Sequence, residues 1–168
     1  MPNWCEGTLK VRGKKSDITR WIRDNVVAYS YGWLRDDGGH LHPKTTANPK
    51  AVTVGYDDPE SEEICVTVTT DAHITGTRRN FVLEDEYWAY EHHGIMVLVL
   101  NFKAAWGIES EPYVKMSQEY HVDFRLYGFE KGMEFNQEII VEDGQLIRDV
   151  EITFDDYLWE CINPRLGG

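Results

Sequence analysis

The residues in this sequence that come closest to an acid–base or metal-binding set are Glu119, His121 and Asp123. Residues two apart on a strand project from the same face, so a strand here would place all three side chains on one side. Two carboxylates and an imidazole could transfer protons or hold a divalent metal ion. The same alternation is typical of any half-exposed strand, and the helix predicted over 110–120 would take Glu119 out of register.

A candidate metal-binding pair is formed by His40 and His42, which follow Asp36 and Asp37. On a strand, an H-x-H pair points to one side and could bind zinc together with a carboxylate. The surrounding segment 29–50 is rich in glycine and proline and predicts an irregular insertion with no third fixed ligand. We therefore interpret both histidines as surface residues, and the sequence predicts no cofactor.

A cysteine nucleophile would be the remaining catalytic option, and Cys5 beside Trp4 is its candidate. Nothing nearby in the sequence supplies the base or positive charge that would activate a thiol. We interpret Trp4 and Cys5 as a buried pair that anchors the chain over the core, and Trp106 as an aromatic residue that fills the core or a sheet edge. Phosphate-binding loops and nucleophile-elbow motifs are absent from the sequence.

The charge of the chain favours a protein partner over a nucleic acid. Asp and Glu outnumber Lys and Arg by 29 to 17, which gives a formal net charge of −12. Such a field repels phosphate. The acidic residues can form a well-solvated surface, or a face that occupies a basic groove on another protein, as a DNA mimic does. The oligomeric state stays open, since exposed edge strands invite pairing.

Cysteine usage indicates a reducing compartment, and hydropathy predicts no membrane-spanning segment. The three cysteines are widely spaced and form no C-x-x-C pair, so we expect free thiols. We find no signal peptide, and the longest apolar run is too short to span a bilayer, so we expect no membrane association and a cytoplasmic location.

Hydrophobic periodicity predicts an α+β protein in one domain over residues 1–168. The predicted elements are strand 8–12, helix 16–26, strands 52–56 and 64–68, helix 78–93 ended by Gly94, strand 95–102, helix 110–120, strand 122–127 and strands 134–142 and 145–154. The strand over 95–102 is apolar enough to be buried on both faces. Residues 143–144, Asp-Gly, predict a hairpin turn, and the tail 159–168 is expected to fray. This order fits a ferredoxin-like βαββαβ core with an inserted loop and helix and an extra C-terminal β-hairpin.

The opening residues carry a resemblance to a known family. The start Met-Pro-Asn-Trp-Cys-Glu, followed by Leu9, Val11 and Gly13, resembles that of the YubB-type ferredoxin-like proteins, which are carried mainly by phages, prophages and plasmids. A second matching stretch, 102–135, has Ala-Trp after an apolar strand and a proline at a helix start. Gly7 stands where the family usually has Asn.

This resemblance implies a ferredoxin-like fold in a bacterial host cell and carries over no catalytic residue. Its motif residues in this chain are Asn3, Trp4, Cys5 and Trp106. We expect a non-enzymatic accessory protein of a mobile element that binds a host or phage protein through an acidic surface. The alternative is a small metal-dependent or acid–base enzyme that uses the Glu119, His121 and Asp123 set.

Overall fold

A long first strand sets the architecture, because its side chains alternate strictly between buried and solvent-facing positions. The computed structural model describes residues 3–56, 58 and 60–168. Its strands are β1 (Trp4–Gly13), β2 (Val26–Val27), β3 (Tyr29–Arg35), β4 (Leu41–Ala47), β5 (Val52–Gly55), β6 (Glu63–Val68), β7 (Ala72–Ile74), β8 (Asn80–Val82), β9 (Asp85–His92), β10 (Ile95–Ala105), β11 (Asp123–Glu130), β12 (Phe135–Glu142) and β13 (Gln145–Thr153). The helices are α1 (Lys15–Asn25), α2 (Glu111–Tyr120) and α3 (Tyr157–Glu160).

The main sheet has the order β13-β12-β11-β1-β10-β8-β7-β2, and each of these pairs is antiparallel. Strand β9 pairs with the start of β10 and continues the sheet through β6 to β5. The protein is therefore a mixed α+β structure with a mostly antiparallel sheet, which confirms the predicted class. None of the helices among the described residues has the length and apolar character needed to cross a membrane.

Both long helices pack on one face of this sheet. Phe124 of β11 makes edge-to-face ring contacts with Trp21 of α1, at 5.3 Å between centroids, and with Tyr113 of α2, at 5.4 Å. Leu9 and Val11 of β1 are fully buried beneath the same helices. The helices predicted over 16–26 and 110–120 are confirmed.

The opposite face of β10 is open to solvent, so the prediction that this strand is buried on both faces is wrong. Met96, Leu98 and Leu100 are buried, whereas the alternating Val97 and Val99 remain almost half exposed. The reason is that the helices cover only one side, which antiparallel sheets tolerate. Ion pairs occupy this open face beside β10, such as those that join Arg12 to Asp123 and Glu142.

The helix predicted over 78–93 is wrong, because these residues form β8 and β9. In β9 the side chains of Tyr87 and Ala89 are buried and their neighbours are exposed, which is a period of two and not of 3.6. His93 and Gly94 have φ values of 53° and 78°. Two consecutive positive φ values make the tight turn that joins antiparallel strands, so Gly94 belongs to a β9–β10 hairpin and does not cap a helix.

The prediction of an irregular insertion over 29–50 is also wrong. Strands β3 and β4 pair from Tyr29–Ala47 to Arg35–Leu41 and form a two-stranded ribbon apart from the main sheet. Most of its side chains are exposed on both faces. The absence of a buried side removes the periodic pattern by which strands are recognised in a sequence.

The tail at 159–168 packs against the sheet and does not fray. Tyr157 and Cys161 are buried with Phe129 in a small apolar cluster, against which Leu166 also packs. The backbone N–H of Gly168 donates a hydrogen bond to the carbonyl oxygen of Trp4, at 3.0 Å. The C-terminal residues thus cover one end of the otherwise open face.

A buried lysine connects α1 to the loop between β5 and β6. The ammonium of Lys15 donates hydrogen bonds to the carbonyl oxygens of Tyr56 (2.9 Å), Asp58 (2.6 Å) and Ser61 (2.7 Å). Three acceptors satisfy the three N–H donors of an ammonium, which allows the charge to lie within the protein.

Candidate functional site

The motif residues near the start of the chain meet at the end of β1. Trp4 lies opposite Ala105 in the β1–β10 pairing, and the N–H of Trp106 donates to the carbonyl oxygen of Asn3, at 2.9 Å. The guanidinium of Arg79 and the ammonium of Lys103 lie 5.5 and 5.1 Å from the ring centre of Trp4. The structure therefore brings Asn3, Trp4 and Trp106 together as one corner.

Cys5 is fully buried beneath this corner and is held in its thiol form. Desolvation, together with the nearby carboxylate of Glu130, raises its pKa to about 12. The thiolate is the reactive form of cysteine, so burial removes Cys5 from nucleophilic chemistry. The prediction of a buried Trp4 and Cys5 pair therefore holds for Cys5 only, because Trp4 is half-buried, and Trp106 does not fill the core, since it is 54% exposed.

We expect Cys5 to resist alkylation by iodoacetamide in the folded protein at pH 8, because a thiol of pKa about 12 is ionised there to roughly one part in ten thousand. Peptide mass spectrometry after a short pulse should find Cys5 unmodified in native buffer and fully modified in urea. Stoichiometric modification within minutes in native buffer would contradict this assignment.

The structure does not gather Glu119, His121 and Asp123 into one site. Asp123 is bound to Arg12, with 2.7 Å between Oδ2 and Nη2, and its other oxygen accepts the N–H of Asp143. His121 ends α2 in the left-handed conformation, with φ 56°. Glu119 and Asp123 line two different clefts. This arrangement offers no shared position for a substrate or metal ion.

His40 and His42 converge on one carboxylate at the tip of the ribbon. Oδ2 of Asp36 lies 3.3 Å from Nδ1 of His40 and 2.9 Å from Nε2 of His42. The hydrogen bond from His42 is the main cause that lowers the pKa of Asp36. Within residues 3–56, 58 and 60–168, no group of three or more His, Cys, Asp or Glu side chains is arranged to hold a metal ion.

A different surface emerges on the outer side of β5, β6 and β9, which the sequence analysis missed. Trp88 and Tyr90 alternate with buried residues of β9 and are 46% and 63% exposed. Tyr56, 55% exposed, lies 5.6 Å from Trp88 between ring centres. Glu86 on β9 and Glu63 on β6 project from the same side. We call this set, Tyr56, Glu63, Glu86, Trp88 and Tyr90, the acidic aromatic face.

The segment of the chain that forms this face is acidic. Residues 51–102 contain ten Asp and Glu and only two basic residues, Arg78 and Arg79. This segment carries a formal charge of −8, residues 103–168 carry the same charge, and residues 1–50 carry +4. Among the described residues, the face contains no Lys or Arg side chain. Aromatic rings beside carboxylates form a surface that attracts positive charge.

Comparisons with known proteins give no indication of the function of this chain. No protein-family model, curated protein or solved structure matches this chain. The signal that could have located the face was present in the sequence, since exposed Glu86, Trp88 and Tyr90 recur every second residue. Spacings of three and four in the same segment favoured a helix instead, and a helix would have dispersed these side chains around its axis.

Proposed function

We propose that this protein is a binding module that engages a lysine- or arginine-rich segment of another protein through the acidic aromatic face. The observation that carries the proposal is the exposed row formed by Tyr56, Trp88 and Tyr90 within an acidic segment of the chain. A soluble surface normally mixes both signs of charge and exposes few large aromatic rings.

The chemistry of this face suits a cationic segment for two reasons. Lysine and arginine side chains are attracted to the faces of Trp and Tyr rings, and Trp88 provides the stronger site of the two ring types. Carboxylates at Glu63 and Glu86 flank the rings and can pair with the same cations. Large aromatic residues also dominate the energetics of many protein interfaces.

We further propose a ferredoxin-like core and membership of the YubB-type proteins of mobile elements. Strand β1 lies between β11 and β10, and β8 and β9 lie beyond β10, with helices after β1 and after β10. This order supports a βαββαβ core to which the ribbon and the last hairpin are added. A cytoplasmic site of action in a bacterial host is consistent with three buried free thiols.

The test is a comparison of two double variants in pull-downs from bacterial lysate, with nuclease and at two salt concentrations. The variant Trp88→Ser with Tyr90→Ser removes the aromatic face. The matched control, Tyr31→Ser with Trp33→Ser, removes one Trp and one Tyr that are more exposed and lie on the ribbon. All four side chains point into solvent, so we expect both variants to fold.

We expect a stoichiometric protein partner that survives nuclease, is retained by the ribbon variant and is lost with the Trp88 and Tyr90 variant. Binding should weaken with salt, because the contact pairs opposite charges. Its contact segment should be basic when mapped by crosslinking. A partner lost only with the ribbon variant, or one bound through an acidic segment, would refute the proposal.

A further inference from the structure

A cleft of about 410 Å³ lies beside the N-terminal corner, on a different part of the surface from the acidic aromatic face. Its walls come from the turn before β8, from the loop that joins β10 to α2, and from β12 and β13. Its lining side chains include those of Arg78, Arg79, Trp106, Glu109, Gln137 and Glu151.

Two arginines give this cleft a positive charge, which the rest of residues 51–102 lacks. Arg78 and Arg79 are exposed and are the only basic residues over 51–102. Among the described residues, neither guanidinium has an ion-pair partner, whereas nearby Lys103 is paired with Asp71. Arg79 is also held in place over the ring of Trp4. Unpaired guanidinium groups bind phosphate or carboxylate through paired N–H donors.

Trp106 supplies a flat wall in an unusual backbone conformation. Its φ is 72°, a value that bulky residues rarely adopt. The positive φ falls on Trp106 and not on the next residue, Gly107, which as a glycine would adopt it without strain. The ring is 54% exposed. A strained residue that presents an aromatic surface to solvent is a pattern found at binding sites.

The loop that carries Trp106 is fixed before any ligand arrives. The N–H of Trp106 is bound to Asn3, as described above, and the side-chain amide of Gln137 bonds both the N–H and the carbonyl oxygen of Ile108, at 2.9 and 2.8 Å. A preformed wall spares a ligand the entropy cost of ordering the loop.

We propose that this cleft binds a mononucleotide. The guanidinium groups of Arg78 and Arg79 take the phosphate, and the ring of Trp106 stacks on the base. The carboxylates of Glu109 and Glu151 accept hydrogen bonds from ribose hydroxyls or from an amino group of the base. A simple anion would use only the arginines, and the two carboxylates would repel it, so the mixed lining favours a ligand with both a phosphate and hydrogen-bond donors.

The surrounding charge favours a single nucleotide over a nucleic-acid chain. Each further phosphate of a polymer would enter the field of a protein with net charge −12. Non-specific binding of a polyanion depends on an extended basic surface, whereas this cleft provides two adjacent cations.

Adenosine 5′-monophosphate is the probe, and the readout is the indole N–H signal of Trp106 in a ¹H–¹⁵N spectrum, assigned with Trp106→Phe. We expect a saturable shift of that signal. Arg78→Ala should weaken binding by about tenfold or more, because a hydrogen-bonded charge pair is lost. The exposed Arg35→Ala on the ribbon is the matched control and should leave affinity unchanged.

Adenosine and inorganic phosphate, tested separately, should each bind at least about tenfold more weakly than the nucleotide, since each offers only part of the contact. The proposal is overturned if adenosine binds as tightly as its phosphate, if Arg78→Ala has no effect, or if no shift occurs at millimolar nucleotide. A short single-stranded oligonucleotide that binds more tightly than the mononucleotide would also overturn it in favour of a nucleic-acid site.

Discussion

Replacing Gly7 by alanine is expected to lower the free energy of unfolding by about 3 kcal/mol, at the upper end of the cost of inserting a methyl group into a packed site. Gly7 lies in the middle of β1, where a Cβ atom would overlap the carbonyl oxygen of Tyr127 and press on the Cα atom of Gly128. Both obstacles are backbone atoms of β11, so relief requires the two strands to move apart. Urea unfolding followed by circular dichroism measures the change.

The control for this prediction is Gly32→Ala on the ribbon, where a Cβ atom would meet nothing within 4 Å. We expect that change to stay within about 0.5 kcal/mol of the wild type, as surface substitutions usually do. Equal unfolding midpoints for the two variants would show that β1 and β11 separate at little cost.

Replacing Trp21 by alanine is expected to cost about 3–5 kcal/mol, the usual range for truncating a large buried aromatic residue. Trp21 is fully buried between α1 and the sheet, and its indole N–H lies 3.2 Å from the sulfur of Met116 on α2. Truncation leaves a cavity where α1, α2 and Phe124 meet. Calorimetry or urea titration should therefore show a large loss of stability, or no folded protein at all.

A conservative variant keeps this prediction testable if the alanine variant does not fold. Trp21→Phe retains the ring contact with Phe124 but loses volume and the N–H, and we expect a smaller loss of about 1–3 kcal/mol. Trp159, which is 86% exposed, provides the matched control, and its replacement by alanine should be nearly neutral. A loss at Trp159 equal to that at Trp21 would place the main core elsewhere.

Sequence periodicity predicted those elements in which one face is buried and the other is exposed to solvent. Helix α1, helix α2 and strand β12 follow this rule, whereas β13, which has no buried residue, was predicted from the turn that precedes it. The turn at Asp143 and Gly144 was predictable for a stereochemical reason: both residues have positive φ, of 49° and 71°, which Asp-Gly accommodates well.

The predictions failed where tertiary context decides the structure. Strand β9 contains apolar residues at spacings of two, three and four, so its conformation follows from pairing with β6 and β10 and not from its own pattern. The ribbon buries neither face, so its sequence carries no periodic signal. The exposed side of β10 looked buried because its outward residues are as apolar as its inward ones.

Site residues were predictable only where their types were distinctive. Trp4, Cys5 and Trp106 stand out as rare residues, and the structure brings them to one corner. Histidine and carboxylate spacing suggested a site around His121 that the fold does not assemble. The acidic aromatic face could be predicted only if β9 was recognised as a strand. The cleft at Arg78 and Arg79 could not be predicted, because most of its other residues are distant in the sequence and come together only on folding.

The ammonium of Lys15 links the first turn of α1 to the loop that carries Tyr56, one of the residues of the acidic aromatic face. Acetylation of this amine would remove its charge and two of its three donors, so at least two of the three carbonyl oxygens it now binds would lose their partner. The position of Tyr56 would then no longer be tied to the helix. A single covalent change on a side chain outside the face is thereby coupled to the shape of the surface that a partner would meet.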